Sequence, residues 1–96
     1  ARPDAVADRQ RAAADFARRY ASYSEIRIQR VDYRGLEAAD WEFTYTAGGV
    51  DLHVVNRVFV AGDRGYSLYF QTRAGDWPQA RQDFERIAAS FRPAAA

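Results

Sequence analysis

At 96 residues with a formal net charge of +1, the chain supports one domain, 1–96, and one modest core, burying roughly 60–65% of its unfolded surface. So even a charge balance excludes an electrostatic footprint for nucleic acid or for a membrane surface, and no apolar run approaches the ~20 residues that span a bilayer. With no cysteine there is no disulfide framework and no thiol chemistry, and the basic residues, all arginine, are spread from Arg2 to Arg92 beside acids rather than gathered to grip phosphate.

The chain opens at Ala1 without a start methionine, which points to a piece of a longer protein. Ala1 to Asp4 reads as a frayed end, with Pro3 suited to a helix start and Asp4 as its N-cap. From Asp4 to about Tyr20 the spacing predicts a helix, with Val6, Ala13, Phe16, Ala17 and Tyr20 on one stripe and Arg9, Arg11, Asp15, Arg18 and Arg19 largely off it. Ser22 and Ser24 mark the exit.

Glu25 to Arg34 alternates at period two and predicts the first strand, and Arg34-Gly35-Leu36-Glu37 the turn. The second strand runs from about Ala38 to Thr46, with Trp41, Phe43 and Tyr45 on one face. Gly48-Gly49 is a two-residue hairpin signal, because two glycines supply positive φ without strain. It sets Ala47 opposite Val50, Tyr45 opposite Leu52, Phe43 opposite Val54 and Trp41 opposite Asn56, and the apolar sets then coincide. The third strand is Val50 to Ala61. An odd-length loop around Gly62-Asp63-Arg64-Gly65 would place Val60 opposite Tyr66 and Val58 opposite Leu68, keeping one continuous apolar face. The fourth strand, Tyr66 to Arg73, leads to Asp76-Trp77-Pro78. That opens a helix along Trp77, Ala80, Arg81, Phe84, Ile87, Ala88 and Phe91, which Pro93 ends.

The fold class is therefore α+β: a four-stranded antiparallel meander with a helix before and after it. The main face holds Ile26, Ile28, Trp41, Phe43, Tyr45, Leu52, Val54, Val58, Val60, Tyr66, Leu68 and Phe70; the reverse face holds Val31, Tyr33, Val55, Phe59 and Tyr69. A sheet apolar on both sides wants cover on both. One helix on each face satisfies that, and two helices on the main face is the competing arrangement.

No catalytic constellation emerges. His53, the single histidine, falls on the reverse face opposite Thr44, and no nucleophile can be placed beside it. One histidine argues against a zinc site, and no cofactor is expected. Asp40 and Glu42 point the same way from one strand and read as a solvated face countered by Arg27 or Arg57. The candidate site is a row across the main face. If Gly35-Leu36 forms the loop, Arg30 lies opposite Trp41, Trp41 opposite Asn56, and Asn56 opposite Phe70. An arginine and an asparagine among apolar neighbours either find partners at the core margin or line a pocket for a small molecule or peptide, and Arg over Trp also suits a cation–π pair.

The pieces AADWEF, NRVFV and RGYSLYF, the DW helix start, the SF ending near Phe91 and the YRG turn at Tyr33 to Gly35 carry a family resemblance. From Tyr33 onward the chain resembles the C-terminal part of PsbP-like domains in actinobacterial secreted proteins, lipoproteins and membrane-anchored serine/threonine kinases. In that family an N-terminal strand segment precedes the first helix; it is absent here, so the sheet is expected to lack those strands. The resemblance implies a three-layer α/β/α sandwich. It also implies a noncatalytic, extracytoplasmic binding or sensor module that docks a partner protein or small ligand, as the accessory part of a kinase. The alternative is a small cone-shaped enzyme or ligand-binding protein similar to the nuclear-transport-factor/SnoaL group. An open sheet edge would further favour a homodimer.

Overall fold

A computed structural model describes residues 4–91; the expectations for Ala1, Pro3, Pro93 and the last alanines lie outside that span. The elements are α1 (Ala5–Arg19), β1 (Ser24–Tyr33), β2 (Leu36–Ala47), β3 (Val50–Ala61), β4 (Arg64–Arg73), a short 3₁₀ turn (Ala74–Asp76) and α2 (Trp77–Ser90). The four strands form one antiparallel sheet in the order β1-β2-β3-β4. Asp4 caps α1 by accepting the backbone N–H groups of Val6 and Ala7 at 3.1 Å each, which satisfies two otherwise unpaired donors of the first turn. Asp76 stands at the N-cap of α2 but makes no side-chain capping bond.

One helix covers each face. On the α1 side, Ala13, Phe16 and Tyr20 pack on Trp41, Phe43, Tyr45 and Val54. The Phe16 ring sits edge-on 4.8 Å from Phe43 and 4.9 Å from Tyr45. On the α2 side, Phe84 and Ala88 pack on Tyr33, Ala38, Val55 and Phe59, and the Tyr33 hydroxyl donates to the Ala88 carbonyl.

The β2–β3 register agrees with expectation: Trp41 opposes Asn56, Phe43 opposes Val54 and Tyr45 opposes Leu52. The flanking hairpins differ. The β1–β2 loop is Arg34-Gly35, closed by Tyr33 opposite Leu36, so Ile28 opposes Trp41 and Arg30 opposes Ala39. Arg34 and Gly35 both take positive φ, 57° and 79°, the geometry of a type I′ turn. Arg34 is held there by donating to the carbonyls of Ala89 (3.0 Å) and Phe91 (3.1 Å), which ties the turn to the end of α2. Near its start β1 is bulged between Glu25 and Arg27. Ile26 therefore leaves the expected core and is 50% exposed.

The β3–β4 loop is the even one. Gly62-Asp63 joins Ala61 to Arg64, Val60 opposes Gly65, and Val58 opposes Ser67. Tyr66, Leu68 and Phe70 consequently lie on the α2 face, not on the main face, and Tyr69 lies on the α1 face. The preference for one continuous apolar face undervalued what the second helix needs. α2 lies over β4 while α1 lies over β1 and β2, so β4 must turn its apolar side toward α2. Phe70 accordingly stands 5.9 Å from Phe84 and 6.4 Å from Trp77. Three residues expected on helix stripes, Ala17, Arg81 and Ile87, are exposed.

Candidate functional site

Two polar groups interrupt the apolar faces. The first lies at the margin of the α1 face. Asn56 is 1% exposed. Its Oδ1 accepts from Arg9 Nη1 at 2.8 Å, and its Nδ2 donates to Ser67 Oγ at 2.8 Å and to the Leu68 carbonyl at 3.1 Å. The Arg9 guanidinium stands 5.8 Å from the Trp41 ring centroid and also pairs with Asp8 at 2.8 Å. Trp41 Nε1 donates to the Tyr23 hydroxyl at 3.0 Å. Beyond Asn56 the face is left uncovered by α1. A cleft of about 400 Å³ opens there, between Asp4, Asp8, Arg9 and Arg11 of the helix and Val58, Val60 and Ser67 of the sheet.

Of the four residues expected to form the row, Trp41 and Asn56 come together. Arg30 is two residue pairs along the ladder, 60% exposed by its side chain and paired with Asp4 at 3.4 Å. Phe70 is on the opposite face beneath α2, and the residue opposite Asn56 is Tyr69. The cation over Trp41 is Arg9. The sequence carried that signal: Arg9, Ala13, Phe16 and Tyr20 follow i, i+4, i+7, i+11, so Arg9 extends the buried stripe rather than lying off it.

The second group is a layer of ion pairs under α2. Asp40, expected on a solvated face, is 1% exposed. It accepts from Arg57 at 2.7 and 2.9 Å and from Arg27 at 3.4 Å. The partner arginines foreseen for the two carboxylates are therefore the ones found. This bidentate pairing holds the Arg57 guanidinium pKa above its usual value, and the same guanidinium lies over the Tyr33 and Phe84 rings at 5.0 and 5.3 Å. Glu42 accepts from Arg27 Nε at 2.8 Å and meets His53 Nε2 at 2.6 Å. His53 is buried and stacked on Trp77 at 4.3 Å. It does lie opposite Thr44. A smaller polar recess lies beside this layer, lined by Arg27, Glu42, Trp77, Arg81 and Glu85. Among the described residues no group of three His, Cys, Asp or Glu side chains could hold a metal ion, and no helix is long and apolar enough to cross a membrane.

A family model described as the serine/threonine kinase C-terminal domain matches residues 1–93. The chain belongs to that family. The kinase C-terminal domain also resembles, at a TM-score of 0.76 and 13% identity, a crystal structure of a Pseudomonas aeruginosa protein of unknown function described as a candidate regulator. That alignment covers 94% of this chain and 63% of the other, so the chain spans under two thirds of its neighbour. At this identity the likeness concerns the fold alone. A comparison with curated proteins gives no significant match. The family membership makes this an accessory domain of a kinase, and the polar groups described above sit in that domain.

Proposed function

We propose that this domain is a noncatalytic binding module, PsbP-like in kind, on the extracytoplasmic side of a membrane-anchored serine/threonine kinase. It docks a partner protein or a small ligand at the open end of the α1-covered face. The observation that carries the reading is the family match together with where the chemistry-bearing residues go. Asp40, Glu42, Arg27 and Arg57 neutralise one another, and His53 takes Glu42 as its partner. Such closed pairing suits structure more than turnover, since a general base needs a nucleophile or substrate within hydrogen-bond reach. The cleft beside Arg9, Val58 and Ser67 instead combines an apolar floor with a charged rim, the composition of a docking surface.

The test uses the parent kinase in the membrane of intact cells, with and without this domain. External protease should remove the domain while the catalytic part stays protected. The purified catalytic part should phosphorylate a generic protein substrate at the same rate whether or not the domain is attached. A domain shielded from external protease would contradict the placement. A catalytic rate that falls on His53→Ala would contradict the noncatalytic role.

A further inference from the structure

The two outer strands of the sheet differ in how they protect their free edges. β1 is broken by the bulge at Ile26, and it presents Glu25, Gln29, Arg30 and Asp32 to solvent. β4 has ten residues, an unbroken register, no proline and no charge between Arg64 and Arg73. Bulges and charges are what normally keep an edge from pairing with another chain. Because α1 lies over β1 and β2, the α1-side residues of β4 (Ser67, Tyr69, Gln71 and Arg73) are exposed, Tyr69 by 54%.

The hairpin fixes which backbone groups point outward. A two-residue loop makes its flanking residues, Ala61 and Arg64, the first hydrogen-bonded pair, and such pairs then alternate along the strand. Arg64, Tyr66, Leu68, Phe70 and Thr72 thus turn their N–H and C=O groups toward β3. Gly65, Ser67, Tyr69 and Gln71 turn theirs to the open edge, as Arg73 does its N–H, its C=O starting the 3₁₀ turn. That outward set is symmetric about Tyr69.

We propose that this edge is the interface for a second copy of the same chain, joined antiparallel about a two-fold axis through Tyr69. Tyr69 then faces its own equivalent and Ser67 of one copy faces Gln71 of the other, each pair exchanging main-chain bonds, and Gly65 faces Arg73, whose N–H completes the ladder. On the α2 face Leu68 meets Phe70, Tyr66 meets Thr72 and Arg64 meets Ala74. The two charges of the strand both fall opposite neutral residues, so the edge is complementary to itself in charge as well as in hydrogen bonding, and an isologous contact requires both. The half-buried Leu68 and Phe70 gain an apolar neighbour, and two four-stranded sheets become one of eight. What this does for a kinase rests on the function proposed above, since joined accessory domains would bring two catalytic domains together. The dimer itself does not rest on it.

Sedimentation of the chain over a concentration series should show a monomer–dimer equilibrium. Tyr69→Lys and Tyr69→Glu each put like charges face to face at the axis. Each should weaken association roughly tenfold or more while leaving the far-ultraviolet circular dichroism unchanged, because the side chain is half exposed. A one-to-one mixture of the two folded variants should recover the dimer. A monomeric wild-type chain, a Tyr69→Lys variant that dimerises as well as wild type, or a mixture that fails to recover would each overturn the proposal.

Discussion

Asp40 and Arg57 show how far a single pair can matter here. Both oxygens of a carboxylate that is almost wholly buried are bonded to one guanidinium, which two aromatic rings flank. Removing one partner of such a pair leaves the other charge uncompensated, a loss of about 3–5 kcal/mol, whereas replacing both by apolar groups is often nearly neutral. Asp40→Ala should therefore lose about that much in urea denaturation, and Asp40→Leu combined with Arg57→Met should lose less than the single change. A single-variant loss under about 1 kcal/mol, the range of a solvent-exposed pair, would show that water reaches the site. Tyr23 offers a second test. Its hydroxyl accepts from Trp41, donates to Glu25 at 3.0 Å, and is pushed by burial to a pKa of about 12. An unfolded tyrosine titrates near about 10. The unfolded chain therefore loses its proton first, so the stabilisation is complete below pH 10 and falls as pH rises toward 12. Tyr23→Phe should make the urea midpoint less steeply dependent on pH in that window; an unchanged slope would mean the hydroxyl is solvated in the fold. At this scale the sequence told which arginines serve Asp40 and Glu42, because side chains two apart on one strand share a face. It also held Arg9 on the buried stripe. What obscured Arg9 is that periodicity is scored on apolar residues, and a guanidinium packed over an indole does not register as one.

Turn chemistry decides how much of each element could be read. Gly48-Gly49 left one plausible loop, and the β2–β3 register followed from it. Gly62-Asp63-Arg64-Gly65 allowed two loop lengths, and loop parity sets which face every later residue takes; Arg34-Gly35-Leu36 allowed two placements of a two-residue loop, which differ by two residues in register. In both cases the deciding contact is remote in sequence: α2 needs Tyr66, Leu68 and Phe70 beneath it, and Arg34 reaches the carbonyls at the end of α2. The parity change carried Phe70 to the other face, and the loop placement moved Arg30 two residues along β1 from Trp41, so half of the candidate row was legible and half was not. The even loop depends on Gly62, whose φ is +66°. A side chain in that region costs roughly 1–2 kcal/mol. Gly62→Ala should lower stability by about that amount, and Gly62→Asn by less, since asparagine tolerates left-handed backbone. Equal stability for all three residues in thermal melts would show that the hairpin is fixed by strand packing rather than by its turn.

The molecule has two apolar layers separated by one sheet, and the sheet is common to both. Along β2, Ala38 packs toward α2 while Trp41, Phe43 and Tyr45 pack toward α1; along β3, Val55 and Phe59 serve the α2 layer and Val54 the α1 layer. Neither layer can lose its strands without the other losing its floor, so the domain should unfold in one cooperative step, as single domains of this size usually do. Each layer contains one of the two tryptophans, Trp41 beneath α1 and Trp77 at the start of α2. Trp77→Phe leaves a reporter of the α1 layer alone, and Trp41→Phe a reporter of the α2 layer. Within each variant, fluorescence should give the same denaturant midpoint as far-ultraviolet circular dichroism. Phe84 is buried in the α2 layer, 5.9 Å from Phe70, and truncating such a ring costs about 3–5 kcal/mol. Phe84→Ala, introduced into the Trp77→Phe background, should lower the midpoint reported by Trp41 on the far side of the sheet by as much as the midpoint reported by circular dichroism. A Trp41 signal that keeps its original midpoint while the dichroism transition splits or moves would mean that α2 detaches on its own, and that the sheet with α1 is a separate folding unit.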